Sequence, residues 1–315
     1  MAVYTVLTEQ EVSAFLQGFG LPRLVRLRAT ASGIENTNYF VDAEDSAGAP
    51  VALVLTLFER GEVQALPYFV ALLSFLGEQG LPVPVPYRDQ HNVALHHLKH
   101  KACVLGPRFA GQHPQQPTVA QCATIAAAMA RMHLASSGFD LHRDNDRGER
   151  WRLLVADKLL PQLPADQAAL LRQQVDDWQR LLPQLNQLPR GITHGDLFHD
   201  NALFDGDRLT GIIDFYNACD DVFIYDLAVL VNDWCSRADF SFDQQRLKAV
   251  LDAYRQVRPF NADEQHYWPA MLRFAALRFW LSRLEKWHFP GDGHQVQQKD
   301  PEPMRQLLLQ RIGPH

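Results

Sequence analysis

ITHGDLFHDNALFDGDRLTGIIDF, residues 192–215, is the stretch from which the rest of the chain takes its meaning. Asp205-Gly206-Asp207 is a turn signal between two short apolar runs, Ala202-Leu203-Phe204 and residues 209–213, a pattern that predicts a β-hairpin. Closing that hairpin sets Asn201, just before its first strand, beside Asp214, just after its second. A polar loop immediately upstream carries His194, Asp196, His199 and Asp200. Unpaired buried charge is costly, so structure alone gives no reason to gather these groups beside a hydrophobic ladder. Two carboxylates and an amide converging at one hairpin mouth suit a hard cation such as Mg²⁺, which favours one or two carboxylates plus phosphate oxygens.

The spacing sharpens this expectation. Asp196 and Asn201 fit D-x-x-x-x-N, the catalytic-loop pattern in which the aspartate faces a substrate hydroxyl and the asparagine holds metal. Asp214-Phe215 follows thirteen residues after Asn201, where a kinase-like fold places its second metal-binding aspartate. An Asp/Asn-rich turn between strands explains any one of these features but not all three in register. His194-Gly195-Asp196, in place of His-Arg-Asp, resembles the aminoglycoside phosphotransferase and choline kinase superfamily rather than the protein kinases.

With 315 residues the chain is long enough for two lobes, and 47% hydrophobic with 21% charged residues is an ordinary globular composition. A net charge of −6 argues against general nucleic-acid or membrane-surface binding, while leaving room for a nucleotide held by local charge or backbone N–H groups. The start, MAVYTVLTEQEV, has no basic region followed by a long apolar run, so no signal peptide is expected, and no apolar stretch is long enough to span a bilayer. Cys103, Cys122, Cys219 and Cys235 show no CxxC spacing and read as free thiols in a reducing cytoplasm.

Residues 8–19 carry a helix pattern with Thr8 as cap and Glu11 three positions on. Strand-like runs follow at 25–28, 39–42 and 51–58, with Ser46-Ala47-Gly48 as a turn. Between the first two lies Ser32-Gly33-Ile34-Glu35-Asn36-Thr37-Asn38, a small and polar loop whose backbone N–H groups are suited to phosphates. Kinase-like folds carry a phosphate-pairing lysine on the third strand; Thr56 stands there, offering a hydroxyl without the charge. Arg60 is a candidate for the missing charge, while Glu62 reads as solvated. Leu66, Phe69, Val70, Leu73 and Leu76 recur at helical spacing with Pro67 in the first turn, a helix expected to pack on the small sheet and end at Gly80.

Residues 102–105 form a short apolar strand that runs into Gly106-Pro107-Arg108-Phe109-Ala110-Gly111, suited to a hinge where adenine bonds the backbone. His96, His97 and His100 lack a second ligand set and read as a solvated turn. Beyond Pro117 the period becomes helical, with Thr118 as cap and His133 as a satisfied core histidine. Residues 140–150 read as a charged loop, and Pro164-Ala165-Asp166 opens an amphipathic helix with Leu170, Leu171, Val175 and Trp178 inward. Asp220 and Asp221 are expected where a helix begins, and the buried Asp226 needs hydrogen-bond donors to offset its burial. Residues 266–288 read as one long helix bearing Arg273, Arg278 and Arg283, any of which is a candidate for a substrate carboxylate.

Taken together, residues 33–40, 54–59, 194–201, 212–216, 232–235 and 278–284 resemble bacterial homoserine kinases of the aminoglycoside phosphotransferase type over nearly the whole chain. The third strand of that family reads like VLTLFE, so Thr56 departs from the superfamily but not from this branch. The resemblance implies an α+β, two-lobed protein-kinase-like fold, with a nucleotide-binding lobe at 1–108 and a mainly helical lobe at 109–315. It implies transfer of the ATP γ-phosphoryl to the side-chain hydroxyl of L-homoserine, for threonine synthesis. Asp196 would take the catalytic role, with Mg²⁺ on Asn201 and Asp214, and ATP on Asn36, Thr37, Asn38, Thr56, Arg108 and Phe109. Asn232, Trp234 and Arg283 would meet homoserine, while Asp226 braces the catalytic loop by accepting its backbone N–H groups and His194 supports it. Two alternatives stay open: a kinase of another small hydroxylated metabolite (an amino alcohol, sugar or aminoglycoside), and a nucleotide-binding pseudokinase, suggested only by Thr56. The oligomeric state is not legible in the sequence.

Overall fold

The computed structural model describes residues 4–30, 36–59, 63–290 and 299–313, so Gly33 and the rest of 31–35, Arg60 and Glu62 lie outside the described residues. The chain divides into two compact units, one of Met1–Ala110 with Gly211–Ile213 and one of Gly111–Thr210 with Asp214–His315.

The first unit is built on an antiparallel sheet of β1 (Arg23–Ala29), β2 (Thr37–Glu44), β3 (Pro50–Leu57), β4 (His96–Leu98) and β5 (Lys101–Pro107), in the order β1-β2-β3-β5-β4. Successive strand residues point to opposite faces. Tyr39, Val41 and Ala43 on β2 and Leu53, Leu55 and Leu57 on β3 therefore share one buried face. Val12 and Leu16 of α1 (Glu9–Gln17) join that cluster. Each fully buried leucine contributes about 1.5–3 kcal/mol, which outweighs the weak intrinsic preferences of such short strands. Thr8 and Glu11 cap α1 reciprocally, at 3.2 and 2.8 Å. α2 (Leu66–Glu78) follows with proline in its first turn and gives way to Gly80 at φ +75°.

The second unit is mainly helical: α3 (Val119–Ala135), α4 (Glu149–Leu159), α5 (Ala165–Leu185), α6 (Phe223–Trp234), α7 (Gln244–Val257), α8 (Ala262–His288) and α9 (Glu302–Ile312). Two short ladders interrupt them, β6 (Arg190–Thr193) with β9 (Cys219–Val222), and the hairpin of β7 (Ala202–Asp205) and β8 (Arg208–Ile212), whose last residues group with the first unit. α4, α5, α8 and α9 close a core around Trp280, Leu281, Leu159, Leu171 and Leu308. α6 is buried at eleven of its twelve positions, which marks it as the central helix.

Two local expectations need correction. Asp220 and Asp221 do not open a helix; they lie on β9, paired with Ile192 and Gly191, and α6 begins at Phe223. α4 occupies a stretch for which the sequence reading has no element, although Trp151, Val155 and Leu159 recur every four residues along it. Among the described residues no helix is long and apolar enough to cross a membrane.

Candidate active site

The loop from His194 to Asn201 leaves β6 and is fastened from below by three side chains of α6. The Asp226 carboxylate accepts the backbone N–H groups of His194 at 2.9 Å and Gly195 at 2.8 Å. Asp233 accepts the N–H of His199 at 2.7 Å and meets its imidazole at 2.7 Å. The Trp234 indole N–H donates to the Leu197 carbonyl at 3.0 Å. These residues are seven and eight positions apart, two helical turns, so a single helix face carries all three. Gly195 sits at φ +75°, and a Cβ there would lie 2.9 Å from the Asn217 carbonyl, which explains glycine where protein kinases carry arginine.

Within the loop, His194 is fully buried, accepts the Asp196 N–H at its Nδ1 (3.3 Å) and packs against the Phe215 ring. The Asn201 side-chain amide donates to the Asp196 carbonyl at 2.8 Å. Burial pushes the Asp196 carboxyl up to about 7; the Arg278 guanidinium draws it down, and Asp214 and Asp200 push it further up. The Asp214 charge is therefore felt at the Asp196 carboxyl. Asp214 itself adopts the left-handed conformation, φ 65° and ψ 53°, an uncommon state that aspartate tolerates better than most residues and that recurs at functional sites.

A buried polar chain extends beneath the loop. His133 bonds Asp226 through Nε2 at 3.0 Å and Tyr254 through Nδ1 at 2.6 Å. Arg258 donates to the Tyr254 hydroxyl at 3.2 Å and pairs with Glu264 at 2.7 Å. Burial pushes the Asp226 carboxyl up, but the hydrogen bonds from His133 and the loop backbone outweigh it and hold the group below the usual carboxylate range. Burial holds His133 below its ordinary value against the pull of Asp226. The imidazole is therefore neutral, with its proton on Nε2 toward Asp226 and Nδ1 accepting from the tyrosine hydroxyl.

The donor set fits a hard divalent cation. With the Asn201 amide nitrogen donating to the loop backbone, its oxygen is the atom that could ligate, and Asp214 offers a carboxylate on the residue that follows the hairpin. Beside Gly195 a narrow recess is lined by Arg143, Asn145, Arg147, Asn217, Tyr225 and Arg278 among others.

The substrate residues expected from sequence do not gather there. Trp234 is fully buried beneath the loop, so its part is to hold Leu197. The two ends of the Asn232 amide tie α6 to Leu272 on α8 (2.8 Å) and to Arg311 on α9 (2.8 Å). Arg283 donates to the Asp300 carbonyl at 3.1 Å, while Arg278, five residues earlier, is the α8 arginine that lines the recess. Sequence reading left Asp233 unassigned; its i+7 spacing from Asp226 is the signal that finds it.

The nucleotide residues expected in the first unit separate by strand parity. The Thr37 side chain points into the closed side: it is fully buried, accepts the Tyr4 N–H at 3.0 Å and donates to Glu59 at 2.7 Å, so any part in holding phosphate falls to its backbone. Asn38 and Thr56 are cross-strand partners on the opposite face, where the Thr56 hydroxyl donates to the Asn38 amide oxygen at 2.7 Å. On that face Arg28 and Arg108 both stand over the Phe40 ring, at 5.1 and 5.3 Å, and Arg108 pairs with Asp42 at 2.6 Å. Phe109 lies against Gly211, where a Cβ would come within 2.3 Å of its ring. Asn36 lies just before β2, half-buried.

The model of the APH phosphotransferase enzyme family matches residues 26–260. The chain belongs to that family. Among its relatives, the Homoserine kinase of Methylobacillus flagellatus is 41% identical over 99% of this chain and 96% of its own length. The Homoserine kinase of Pseudomonas aeruginosa strain UCBPP-PA14 is 46% identical over 90% and 88%. An amicoumacin kinase solved with AMP-PNP and Ca²⁺ superposes with a TM-score of 0.68 at 17% identity, covering 97% of this chain and 92% of that one, a likeness of fold. The two-lobed α+β phosphotransferase fold expected from the HGD loop is therefore the fold of this chain.

Proposed function

We propose that this phosphotransferase moves the γ-phosphoryl group of ATP to the side-chain hydroxyl of L-homoserine, giving O-phospho-L-homoserine for threonine synthesis in the cytoplasm. The choice of acceptor rests on one observation, the 41% identity to a Homoserine kinase along 99% of the chain. The reaction class is supported by the Asn201 amide bonded to the Asp196 carbonyl at 2.8 Å and by the effect of the Asp214 charge on the Asp196 carboxyl.

Asp196 accepts the proton of the acceptor hydroxyl as its oxygen bonds to the γ-phosphorus and the bond to the β,γ-bridging oxygen breaks, releasing ADP. A base held near 7 is matched to that task at neutral pH. Asn201 and Asp214 would hold Mg²⁺, which supplies charge neutralisation on the phosphates when bound. Thr56 contributes no positive charge, so Arg108, with Asn38, Thr56, Asn36 and Phe109, is the set assigned to the nucleotide in the first unit. Little covalent chemistry is asked of the protein; positioning and electrostatics supply the rate.

The test is ADP release with a panel of L-homoserine, serine, threonine, choline and an aminoglycoside. Homoserine should have the highest kcat/KM, by at least about tenfold over serine, because one methylene in a fitted pocket is worth about that much. A faster rate with choline or the aminoglycoside would transfer the chain to another acceptor class.

A further inference from the structure

The recess beside Gly195 is lined by more arginines than carboxylates. Arg143, Arg147 and Arg278 line it, with Asp146 as the one carboxylate among the described lining residues. Two of the arginines are engaged, Arg143 with Asp146 and Arg147 with Glu285 at 3.4 Å. Arg278 differs. It is 6% exposed, its guanidinium stands 4.0 Å over the Phe279 ring, and its Nε has no hydrogen-bond partner among the described residues. A buried guanidinium with an unsatisfied donor carries a desolvation penalty, which an anion meeting its terminal nitrogens from the recess would offset.

What enters is constrained on two sides. Gly195, which lines the recess, is the residue before Asp196. The field of Arg278 reaches the Asp196 carboxyl directly. An occupant of the recess therefore ends near the catalytic aspartate. Three arginines repel a purely cationic acceptor and attract a carboxylate, and the planar fork of a guanidinium matches a carboxylate two bonds at a time.

We propose that Arg278 anchors the α-carboxylate of the amino-acid acceptor in this recess, leaving the hydroxyl at the other end of the acceptor to reach Asp196. The assignment rests on the homoserine reading above and replaces Arg283 as the carboxylate residue. It makes Arg278 a determinant of acceptor specificity.

The experiment compares wild type, Arg278→Ala and Arg278→Lys on L-homoserine and on L-homoserine amide, which differ only in the charge and shape of the carboxylate group. Each compound is assayed as a substrate or, if turnover is below detection, as a competitive inhibitor. Arg278→Ala should lower the preference for homoserine over its amide at least about tenfold, the scale of one charge-assisted hydrogen bond, and raise the KM for homoserine while that for ATP stays within about twofold. Both compounds use the same Asp196, so any change in its ionisation cancels in the ratio. Arg278→Lys keeps a buried positive charge and should lose part of the preference, which preserves the test if the alanine variant does not fold. An unchanged ratio with equal losses on both compounds overturns the anchor alone. A wild type inert on homoserine overturns the acceptor reading and the anchor together.

Discussion

The catalytic loop of the second unit and the open face of the first sheet are secured by opposite means. Beneath the loop, Asp226, His133, Tyr254, Arg258 and Glu264 form an unbroken hydrogen-bonded chain, and all but Arg258 are less than 3% exposed. On the sheet, Asn38, Thr56, Arg108 and Asp42 rest on one hydroxyl–amide bond and one part-exposed ion pair. Buried and fully partnered groups fix geometry because every alternative leaves a polar atom orphaned. Exposed pairs contribute little and rearrange cheaply. The aspartate proposed to handle the proton is thus held rigidly, while the face proposed for the nucleotide can adjust to its ligand.

The largest test of this contrast is Asp196→Asn, which removes the proton acceptor without disturbing the backbone that carries it. The turnover number should fall about 10³-fold in an ADP-release assay, with nucleotide affinity by calorimetry nearly unchanged. An unaltered rate would end the catalytic assignment. Asp226→Asn attacks the chain instead and puts a donor against the His194 and Gly195 N–H groups. Urea unfolding should show a loss of about 3 kcal/mol, accompanied by a fall in turnover because the loop loses its floor. Equal stability in mutant and wild type would mean that the floor is dispensable.

Thr56→Ala probes the other side of the contrast. Removing a half-buried hydroxyl that has one partner should cost about 1 kcal/mol and shift the KM for ATP less than about threefold. A loss as large as that of Asp226→Asn would erase the distinction between the two regions. The smallest effect is a pH slope. His133 is depressed below its ordinary value in the fold, so the unfolded chain binds more protons as pH falls below about 6.5. Its contribution to stability is complete above that pH and declines as pH drops toward the folded value. His133→Gln should remove this part of the acid slope in urea midpoints; parallel slopes would show that the imidazole is already charged.

Much of this was legible in the sequence because it is written in local spacing. Asp196, Asn201 and Asp214 are placed by a loop and a hairpin whose turn is stated outright, and Asp226 announces itself as a charge within an apolar helix. The parity of β2 separates Thr37 from Asn38, yet a loop read as unstructured through residue 38 hides that alternation. The family resemblance sets Trp234 and Arg283 beside a substrate, whereas helix phase puts Trp234 one residue past two full turns from Asp226, and so beneath the loop. Arg278 and the recess residues near 143–147 are far apart in the chain, and only tertiary packing brings them together.

The three fastenings on α6 have an evolutionary corollary. The loop proposed to carry out phosphoryl transfer is held by one central helix, whereas the recess proposed to select the acceptor takes its three arginines from α8 and the 143–147 segment. Substitutions in the latter can retune which alcohol is accepted while the former stays untouched, so new acceptors can arise among relatives without the transfer machinery being reinvented.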